Sequence, residues 1–357
     1  MLFYDVTIKG GEIMPGLNIG IDIGTSAITV FVQGKGIVSS QANAICYDSY
    51  SDDVVAIGNA AGQMFQKTPD SLILELPVVA GVVSNFSATA QIVAHYLNKA
   101  CKNQIFRPNV IISAPSAGTP LEKKTLIEAA CTAGAGKVCL VDEPIVAALG
   151  AGLDIEHPKG VMVIDLGAGT TDIAVITMGT VAYSTTIKTS GDSMDEAICQ
   201  YIKRENNIII GTPTAKKIKH TVGCARKRSE EIEMNVTGKD QLSGMPVSLP
   251  VTTTAMHEAL KESVDQIFQG VMDVMEQLPP ELYSDVCTEG ILLTGGGAKL
   301  YGLDRELTNR LGIKVSKAID PEHCAAKGAG YILKNIKAME DNGYSFRSKE
   351  KLYGFSE

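Results

Sequence analysis

The chain has 357 residues, 45% hydrophobic and 20% charged, a composition typical of a soluble globular protein long enough for two hydrophobic cores. Its net charge of −8 argues against a generic nucleic-acid binder, because neutralising phosphates requires a basic surface. Eight cysteines without a CxxC pair argue against zinc or disulfides, and no apolar run could span a bilayer, so we expect neither secretion nor a transmembrane segment.

The first predicted element is a hairpin. Residues 18–36 read NIGIDIGTSAITVFVQGKG, which is an apolar strand, Asp22, a glycine-containing turn, a second apolar strand and another glycine turn. The elements that follow are an amphipathic helix over 87–102, a buried strand over 109–114, a helix ending at Gly134 with a capping box of Thr119 and Glu122, a strand over 138–141 and an Ala-rich helix after Glu143.

The same hairpin phrase returns in the second half of the chain. Residues 160–180 read GVMVIDLGAGTTDIAVITMGT, with Asp165 in the place of Asp22. Two copies at domain spacing indicate a duplicated nucleotide-binding unit whose halves face each other across a cleft. Helices predicted over 194–206, 214–223 and 256–277 and a strand over 290–294 follow, so we expect an α/β protein with mixed sheets in two similar lobes.

Each hairpin turn contains residues suited to phosphate. Glycines let backbone N–H groups approach an anion, and the hydroxyls of Thr25, Thr170 and Thr171 can donate further hydrogen bonds. Asp22 and Asp165 precede the turns, where each can hold water around a Mg²⁺ that bridges phosphates. One such turn alone is more often a tight hairpin whose aspartate satisfies local backbone groups, but the pair favours a nucleotide site.

Three further segments carry candidate chemistry. A triple glycine in LTGGGA, residues 293–298, can bring backbone close to a flat base or an α-phosphate, although it can also be a plain flexible connection. The turn at Gly191 and Asp192 could face the same cleft. Glu143 could orient an attacking water, but its neighbour Asp142 could do so instead, and either could cap the next helix. Spacing alone leaves that choice open.

The order of these phrases resembles the actin and heat-shock-chaperone ATPase superfamily. The phrases are IDIGT, LVDEPIVAALGAG, VIDLGAGTTDIAV, SGDSMDEAI, and ILLTGGGAKLYGLD followed by AAKGAG. GKGIV at 34–38, SGMP at 243–246 and LPPEL at 278–282 are similar, more narrowly, to the MreB/Mbl family of bacterial actins. The resemblance implies an α/β, actin-like ATPase fold with two duplicated lobes, each a mixed β-sheet flanked by helices, plus small subdomains.

The resemblance also implies domain bounds. They are an N-terminal extension over 1–16, a first lobe over 17–154 with a small subdomain at about 48–86, a second lobe over 155–333 with a small subdomain at about 195–254, and a C-terminal helix and tail over 334–357 that returns to the first lobe.

Roles for individual residues follow from the same resemblance, with ATP or ADP and Mg²⁺ as cofactors. Asp22 and Asp165 would hold Mg²⁺ through water molecules. Glu143 would position the hydrolytic water, in preference to Asp142, and would be catalytic together with both aspartates and Thr170. The implied nucleotide-binding residues are Gly24, Thr25, Ser26, Ala27, Gly167, Ala168, Gly169, Thr170, Gly191, Asp192, Lys216, Lys217, Ile218, Lys219, Gly295, Gly296, Gly297, Ala298 and Lys299.

The implied function is that of a filament former. Such a protein hydrolyses ATP slowly and polymerises with itself into paired protofilaments; it is cytoplasmic and peripherally associated with the inner face of the membrane. It organises cell-wall synthesis and cell shape with the corresponding proteins, and we expect no nucleic-acid partner. Ile105 and Phe106, flanked by Lys102 and Arg107, would form the membrane loop. The alternative is that they pack onto the core of the lobe.

Several positions depart from the family pattern. The usual GTANT of the first turn is GTSAI, so Ala27 and Ile28 replace polar side chains, and we expect fewer donors near the phosphates. Ala168 adds a methyl group to the second turn, and Lys216 and Lys217 replace acidic residues on the base side. An alternative function is therefore a divergent, nucleotide-stabilised scaffold with little or no hydrolysis.

Overall fold

The structure is a computed structural model that describes residues 16–102, 105–116 and 118–334. Its strands are β1 Asn18–Ile23, β2 Ala27–Val32, β3 Gly36–Ala42, β4 Ile45–Asp48, β5 Val54–Ile57, β6 Leu72–Glu75, β7 Val78–Val79, β8 Val82–Val83, β9 Asn109–Ala114, β10 Lys137–Asp142, β11 Val161–Leu166, β12 Thr171–Thr177, β13 Thr180–Ile187, β14 Ile208–Ile209, β15 Glu233–Asp240, β16 Pro246–Thr252, β17 Ile291–Thr294 and β18 Val315–Lys317. Its helices are α1 Asn59–Gly62, α2 Phe86–Ala100, α3 Pro120–Thr132, α4 Glu143–Gly150, α5 Gly191–Asn206, α6 Thr212–Val222, α7 Thr253–Met275, α8 Pro280–Glu289, α9 Leu303–Leu311 and α10 Cys324–Lys334, with 3₁₀ turns at Gly296–Lys299 and Pro321–His323.

Two five-stranded sheets have the same topology. The first has the order β10-β9-β1-β2-β3 and the second the order β13-β12-β11-β17-β18. β1 pairs antiparallel with β2 and parallel with β9, and in the same way β11 pairs antiparallel with β12 and parallel with β17. The predicted fold class, with two duplicated lobes of mixed sheet and flanking helices, is confirmed.

The central strands form because their residues are apolar on both faces. β9, NVIISA, is buried at all six positions, and β12 is buried at every position but its last. Strands of this kind need helices on both sides of the sheet, since neither face can be left in water. In the second lobe α7 packs against β12 and β13, while α10 packs against β1 and β2 of the first lobe.

The two lobes are joined where α4 crosses α10. A Cβ added to Gly150 would overlap the carbonyl oxygen of Cys324, and one added to Gly328 would overlap that of Val146. Glycine at both positions therefore lets the helix backbones touch. Because α4 also contacts β11 and β12 while α10 contacts β1 and β2, this crossing connects the two large sheets.

Smaller sheets lie in the parts of the chain where subdomains are predicted. One has the order β5-β4-β6 and another the order β14-β15-β16, while β7 and β8 form a two-stranded hairpin. The domain bounds themselves stay predictions, and residues 1–15 and 335–357 lie outside the described part of the chain. None of the described helices combines the length and the apolar character needed to cross a membrane.

Candidate functional site

A cavity of about 430 Å³ lies between the turns of the two hairpins, one from each lobe. It is lined by residues 22–27 of the first hairpin and by residues 167–170 of the second, with Glu143 and Asp165. Ligand pockets in proteins typically measure roughly 300 to 1,000 Å³. The cavity is therefore large enough for a small-molecule ligand, and its lining is rich in glycine.

The two turns close in the same way. In the first, the N–H of Gly24 donates to the carbonyl oxygen of Ala27 at 2.9 Å, and in the second that of Gly167 donates to Thr170 at 2.9 Å. A Cβ at either glycine would lie 3.1 Å from the same carbonyl oxygen. Each glycine therefore permits a tight turn whose remaining backbone groups line the cavity.

The turn between β7 and β8 touches both hairpins. The N–H of Gly81 donates to Oγ1 of Thr25 at 3.0 Å. On the other side, a Cβ at Gly169 would overlap the Thr25 hydroxyl oxygen and would lie 2.8 Å from Cα of Ala80. Thr25 and Gly169, which belong to different lobes, are thus in direct contact, and the bond from Gly81 leaves the hydroxyl hydrogen of Thr25 free to donate.

Three carboxylates line the bottom of the cavity, and each has a raised pKa. Burial, followed by the charges of Asp172 and Asp22, raises the pKa of Asp165 to about 7. Burial also raises the pKa of Asp22, although a hydrogen bond from Ser113 at 3.0 Å opposes the rise. For Glu143, burial and then the charges of the neighbouring aspartates raise the pKa well above its usual value.

This arrangement fits a bound divalent cation. The negative charges of these carboxylates oppose one another's ionisation, and a cation with oxygen ligands offsets that cost. Asp22 and Asp165 are the residues that would hold Mg²⁺ through water.

The triple glycine lines another part of the cavity. A Cβ at Gly296 would meet no atom within 4 Å, so this glycine leaves open space for a flat ligand group. At Gly297, by contrast, a Cβ would overlap the side chain of Leu166.

Most of the predicted site residues line this one cavity. They are Asp22, Gly24, Thr25, Ser26, Ala27, Glu143, Asp165, Gly167, Ala168, Gly169, Thr170, Gly191, Asp192, Lys216, Lys219, Gly295, Gly296, Gly297 and Lys299. Their contacts with a nucleotide stay predictions.

Three residues that the resemblance implies for the nucleotide site do not line the cavity, and their contacts with a nucleotide stay predictions. The helical period of α6 places Ile218 with Ala215 and Val222 on its buried face, and Ile218 is 0% exposed in the core of the second lobe. The neighbouring Lys217 is exposed and lies outside the cavity lining. Ala298 is 1% exposed and also belongs to that core.

The 3₁₀ turn Pro321–His323, which no sequence motif indicated, also lines the cavity. The N–H of Gly295 donates to the carbonyl oxygen of Pro321 at 2.9 Å, so this turn is held against the triple glycine. Nδ1 of His323 lies 2.9 Å from Oδ1 of Asp320. The missed signal is topological: the turn follows β18, a strand parallel to β17, and the carboxyl ends of parallel strands meet at one sheet edge.

Further missed lining residues are Ile23, Thr29, Ser40, Gly81, His220 and Ala325.

The positive charges of Lys216 and Lys219, which line the cavity, are partly neutralised by nearby acidic groups. Nζ of Lys219 lies 2.8 Å from Oδ1 of Asp195 in a buried ion pair and also donates to the carbonyl oxygen of Gly191. Burial raises the pKa of Asp192, while the charges of Lys216 and Lys219 oppose the rise. These lysines therefore compensate acidic groups next to the second hairpin.

Ile28, one of the two substituted residues of the first turn, does not line the cavity. It is 0% exposed and belongs to the core of the first lobe. Its counterpart in the second hairpin, Thr171, is also 0% exposed, and Oγ1 of Thr171 donates to the carbonyl oxygen of Thr189 at 2.5 Å. Only Ala27 of the two substituted positions lines the cavity.

The predicted membrane loop is exposed. Ile105 is 93% exposed and Phe106 58%, so packing onto the core of the lobe, the alternative for these two side chains, is wrong. Lys102 and Arg107 beside them are also exposed.

Known proteins are similar to this chain in sequence and in fold. The sequence profile of the family described as MreB/Mbl protein matches residues 16–341. The chain is 40% identical to the cell shape-determining protein Mbl of Bacillus subtilis (strain 168), covering 90% of this chain and 97% of Mbl. It is 38% identical to the cell shape-determining protein MreB of Escherichia coli (strain K12), covering 89% and 94%. The crystal structure of MreB5 of Spiroplasma citri bound to ADP is similar with a TM-score of 0.88 and 32% identity, covering 92% and 99%.

Proposed function

The chain belongs to the MreB/Mbl protein family, and from this premise we propose that it is an ATP-binding bacterial actin. It polymerises into filaments at the inner face of the cytoplasmic membrane and organises cell-wall synthesis and cell shape, with slow ATP hydrolysis. The single observation that carries the proposal is the cavity in which duplicated glycine hairpins from two lobes face each other. The similar MreB5 structure holds ADP, which supports an adenine nucleotide as the ligand.

In this proposal each group of cavity residues has a separate role in ATP hydrolysis. Bound Mg²⁺ would neutralise the phosphate oxygens and the surrounding carboxylates. The glycine turns and Thr25 bind the phosphates and orient them. Glu143 orients the attacking water, whose oxygen bonds to the γ-phosphorus while the bond to the leaving oxygen of ADP breaks. The water proton leaves toward Glu143 or an adjacent phosphate oxygen.

A test of this function uses the full chain with ATP, with ADP and without nucleotide. Filaments should sediment with ATP and release phosphate slowly. Glu143→Ala should keep ATP-dependent sedimentation but lose phosphate release by about 100-fold or more, because the water is no longer oriented. Absence of nucleotide binding in the unmodified protein would refute the proposal.

The second candidate, a scaffold stabilised by nucleotide without hydrolysis, is favoured by one observation. Ala27 lines the cavity where the family has a polar side chain, so the first turn has lost a donor. In the experiment above, ATP-dependent filaments with no phosphate release from the unmodified chain would select the scaffold. Matching release rates for this chain and an ordinary MreB would remove it.

Membrane association is proposed from the exposed pair Ile105 and Phe106 with its adjacent cations. Two apolar side chains bind an anionic leaflet weakly, and a filament sums many such contacts. Replacing both by Ser should abolish co-sedimentation with anionic liposomes while polymerisation continues. Leu242→Ser, at an equally exposed apolar residue of the second lobe, is the matched control and should leave lipid binding intact. Unchanged binding in the double variant would refute this assignment.

A further inference from the structure

Asp142, the residue before Glu143, does not use its side chain as a helix cap. It ends β10 and occupies the N-cap position of α4, yet its carboxylate makes no hydrogen bond to the first turn of that helix. Instead, Oδ1 of Asp142 accepts a hydrogen bond from Nζ of Lys123 at 2.7 Å. Aspartate at an N-cap normally accepts from its own helix, so a different role accounts for this contact.

The Lys123 side chain is held in one position by two hydrogen-bond acceptors. It lies on α3, just after the capping box of Thr119 and Glu122, which the structure confirms. The Lys123 ammonium also donates to the carbonyl oxygen of Ser116 at 3.2 Å. The Lys123 and Asp142 side chains are only 27% and 28% exposed. A partly buried cation with two acceptors is held more firmly than an exposed ion pair.

Ser116 carries the contact to the second lobe. Its backbone N–H donates to Oδ1 of Asp172 at 3.3 Å. Asp172 lies opposite Asp165 across the second hairpin, and its Oδ2 accepts from Oγ1 of Thr170 at 3.4 Å. The Lys123 ammonium group therefore contacts Asp142, the residue before Glu143. It also contacts Ser116, whose N–H donates to Asp172.

We propose that Lys123 is a positioning residue for ATP hydrolysis, which fixes Glu143 through Asp142 and fixes the second hairpin through Ser116. The inference rests on the proposed function, because it concerns the hydrolytic step at the same cavity. The charge of Asp142 is among those that raise the pKa of Glu143. Neutralising Asp142 with Lys123 therefore also shields Glu143 from a nearby negative charge.

The test removes the ammonium and keeps the apolar stem. In Lys123→Met, ATP affinity should change by less than about twofold, while the single-turnover rate of phosphate release should fall about tenfold, because Glu143 is displaced. Lys123→Arg should restore most of the rate. Asp142→Ala should also lower the rate, and the double variant should be no slower than Lys123→Met alone, since Lys123→Met already removes the bridge to Asp142.

Lys124→Met is the matched control. Lys124 is the next residue of α3, is 54% exposed and pairs only loosely with Glu128, at 3.6 Å. Its replacement should leave phosphate release unchanged. A second readout needs no nucleotide: amide hydrogen exchange at the start of α4 should accelerate about tenfold in Lys123→Met and stay the same in Lys124→Met.

The outcomes separate this inference from the proposed function. If the unmodified chain binds no ATP or releases no phosphate, the proposed function fails, and the exchange rates still test whether Lys123 fixes the start of α4. Wild-type phosphate release in Lys123→Met overturns the positioning role. Unchanged exchange at α4 in that variant, or failure of Lys123→Arg to restore the rate, overturns it as well.

Discussion

The two hairpin turns that face each other across the cavity have the same backbone hydrogen bond but different acidic side chains beside it. In each, a glycine N–H donates at 2.9 Å to the carbonyl of the residue three positions later. Across the first hairpin Asp22 lies opposite Thr29, whereas across the second Asp165 lies opposite Asp172. The duplicated backbone therefore holds one carboxylate in the first lobe and two in the second.

The surroundings increase this difference. The hydroxyl of Ser113 and the charge of His323 both oppose the rise in the pKa of Asp22. For Asp165 burial raises the pKa to about 7, and the neighbouring charges of Asp172 and Asp22 add to that rise instead of opposing it. Two turns with the same backbone hydrogen bond therefore differ in local negative charge, because the residue opposite the aspartate is Thr29 in the first hairpin and Asp172 in the second.

The largest expected effect comes from removing one charge of the second hairpin. Asp165→Asn should lower phosphate release by about 100-fold or more, because it removes a group that organises the cation. In EDTA, well above neutral pH, the same variant should raise the free energy of unfolding by on the order of 1 kcal/mol, since a repelled buried carboxylate becomes neutral. Phosphate assays and urea denaturation measure the two effects.

The matched variant in the first hairpin is Asp22→Asn. It should also lower phosphate release, but it should raise the cation-free stability less, because the hydroxyl of Ser113 already donates to the Asp22 carboxylate and Thr29, not a second carboxylate, lies opposite Asp22. Equal gains in stability for the two variants would contradict the proposed difference between the hairpins.

A second expected effect concerns the contact between the turns. In Gly169→Ala the new Cβ would overlap the hydroxyl of Thr25, so the two turns must separate. Overpacking of this kind should weaken ATP binding by about 10- to 100-fold. Ser26 occupies the equivalent position in the first turn, and Ser26→Ala should cost less, about tenfold at most, because it removes only a hydroxyl. Titration calorimetry with ATP and Mg²⁺ compares them, and a smaller loss in Gly169→Ala would contradict the contact.

Local signals predicted the hairpins and several helix ends. Two similar lobes are indicated by the alternation of apolar residues, by the aspartate before each glycine turn and by the order of elements. Such patterns can be read from the sequence because each one lies within a few residues. The capping box at the start of α3 was predicted in the same way and is confirmed. The placement of Ile218 was knowable too, since its spacing from Ala215 and Val222 follows the helical period.

Contacts made through space were not predictable from those signals. Pro321 meets Gly295 only because β18 and β17 are neighbours in the sheet. The side chain of Asp142 was expected either to act or to cap, but it binds Lys123 from a different helix. A single sequence contains no information on which of several acceptors a lysine reaches once the helices pack.

A third expected effect is on the free energy of unfolding. It distinguishes Ile28, which is in the core, from Ala27, which lines the cavity. Ile28→Thr restores the usual family residue, but Ile28 is fully buried. The variant should lower the free energy of unfolding by about 1 to 3 kcal/mol, because it buries a hydroxyl and removes apolar volume. ATP affinity should stay within about twofold of the original value. A clear gain in affinity would contradict the placement of this side chain in the core.

The smallest expected effect is at Ala27, which lines the cavity in the first hairpin where Thr170 lines it in the second. Ala27→Asn restores a polar side chain next to the phosphates and should tighten ATP binding by about 2- to 10-fold, the value of one hydrogen bond. The stability of the nucleotide-free protein should hardly change, because position 27 is only partly buried and lines the cavity. Unchanged ATP affinity would mean that a polar side chain at position 27 adds nothing to the phosphate contacts that Thr25 and the backbone of the first turn make.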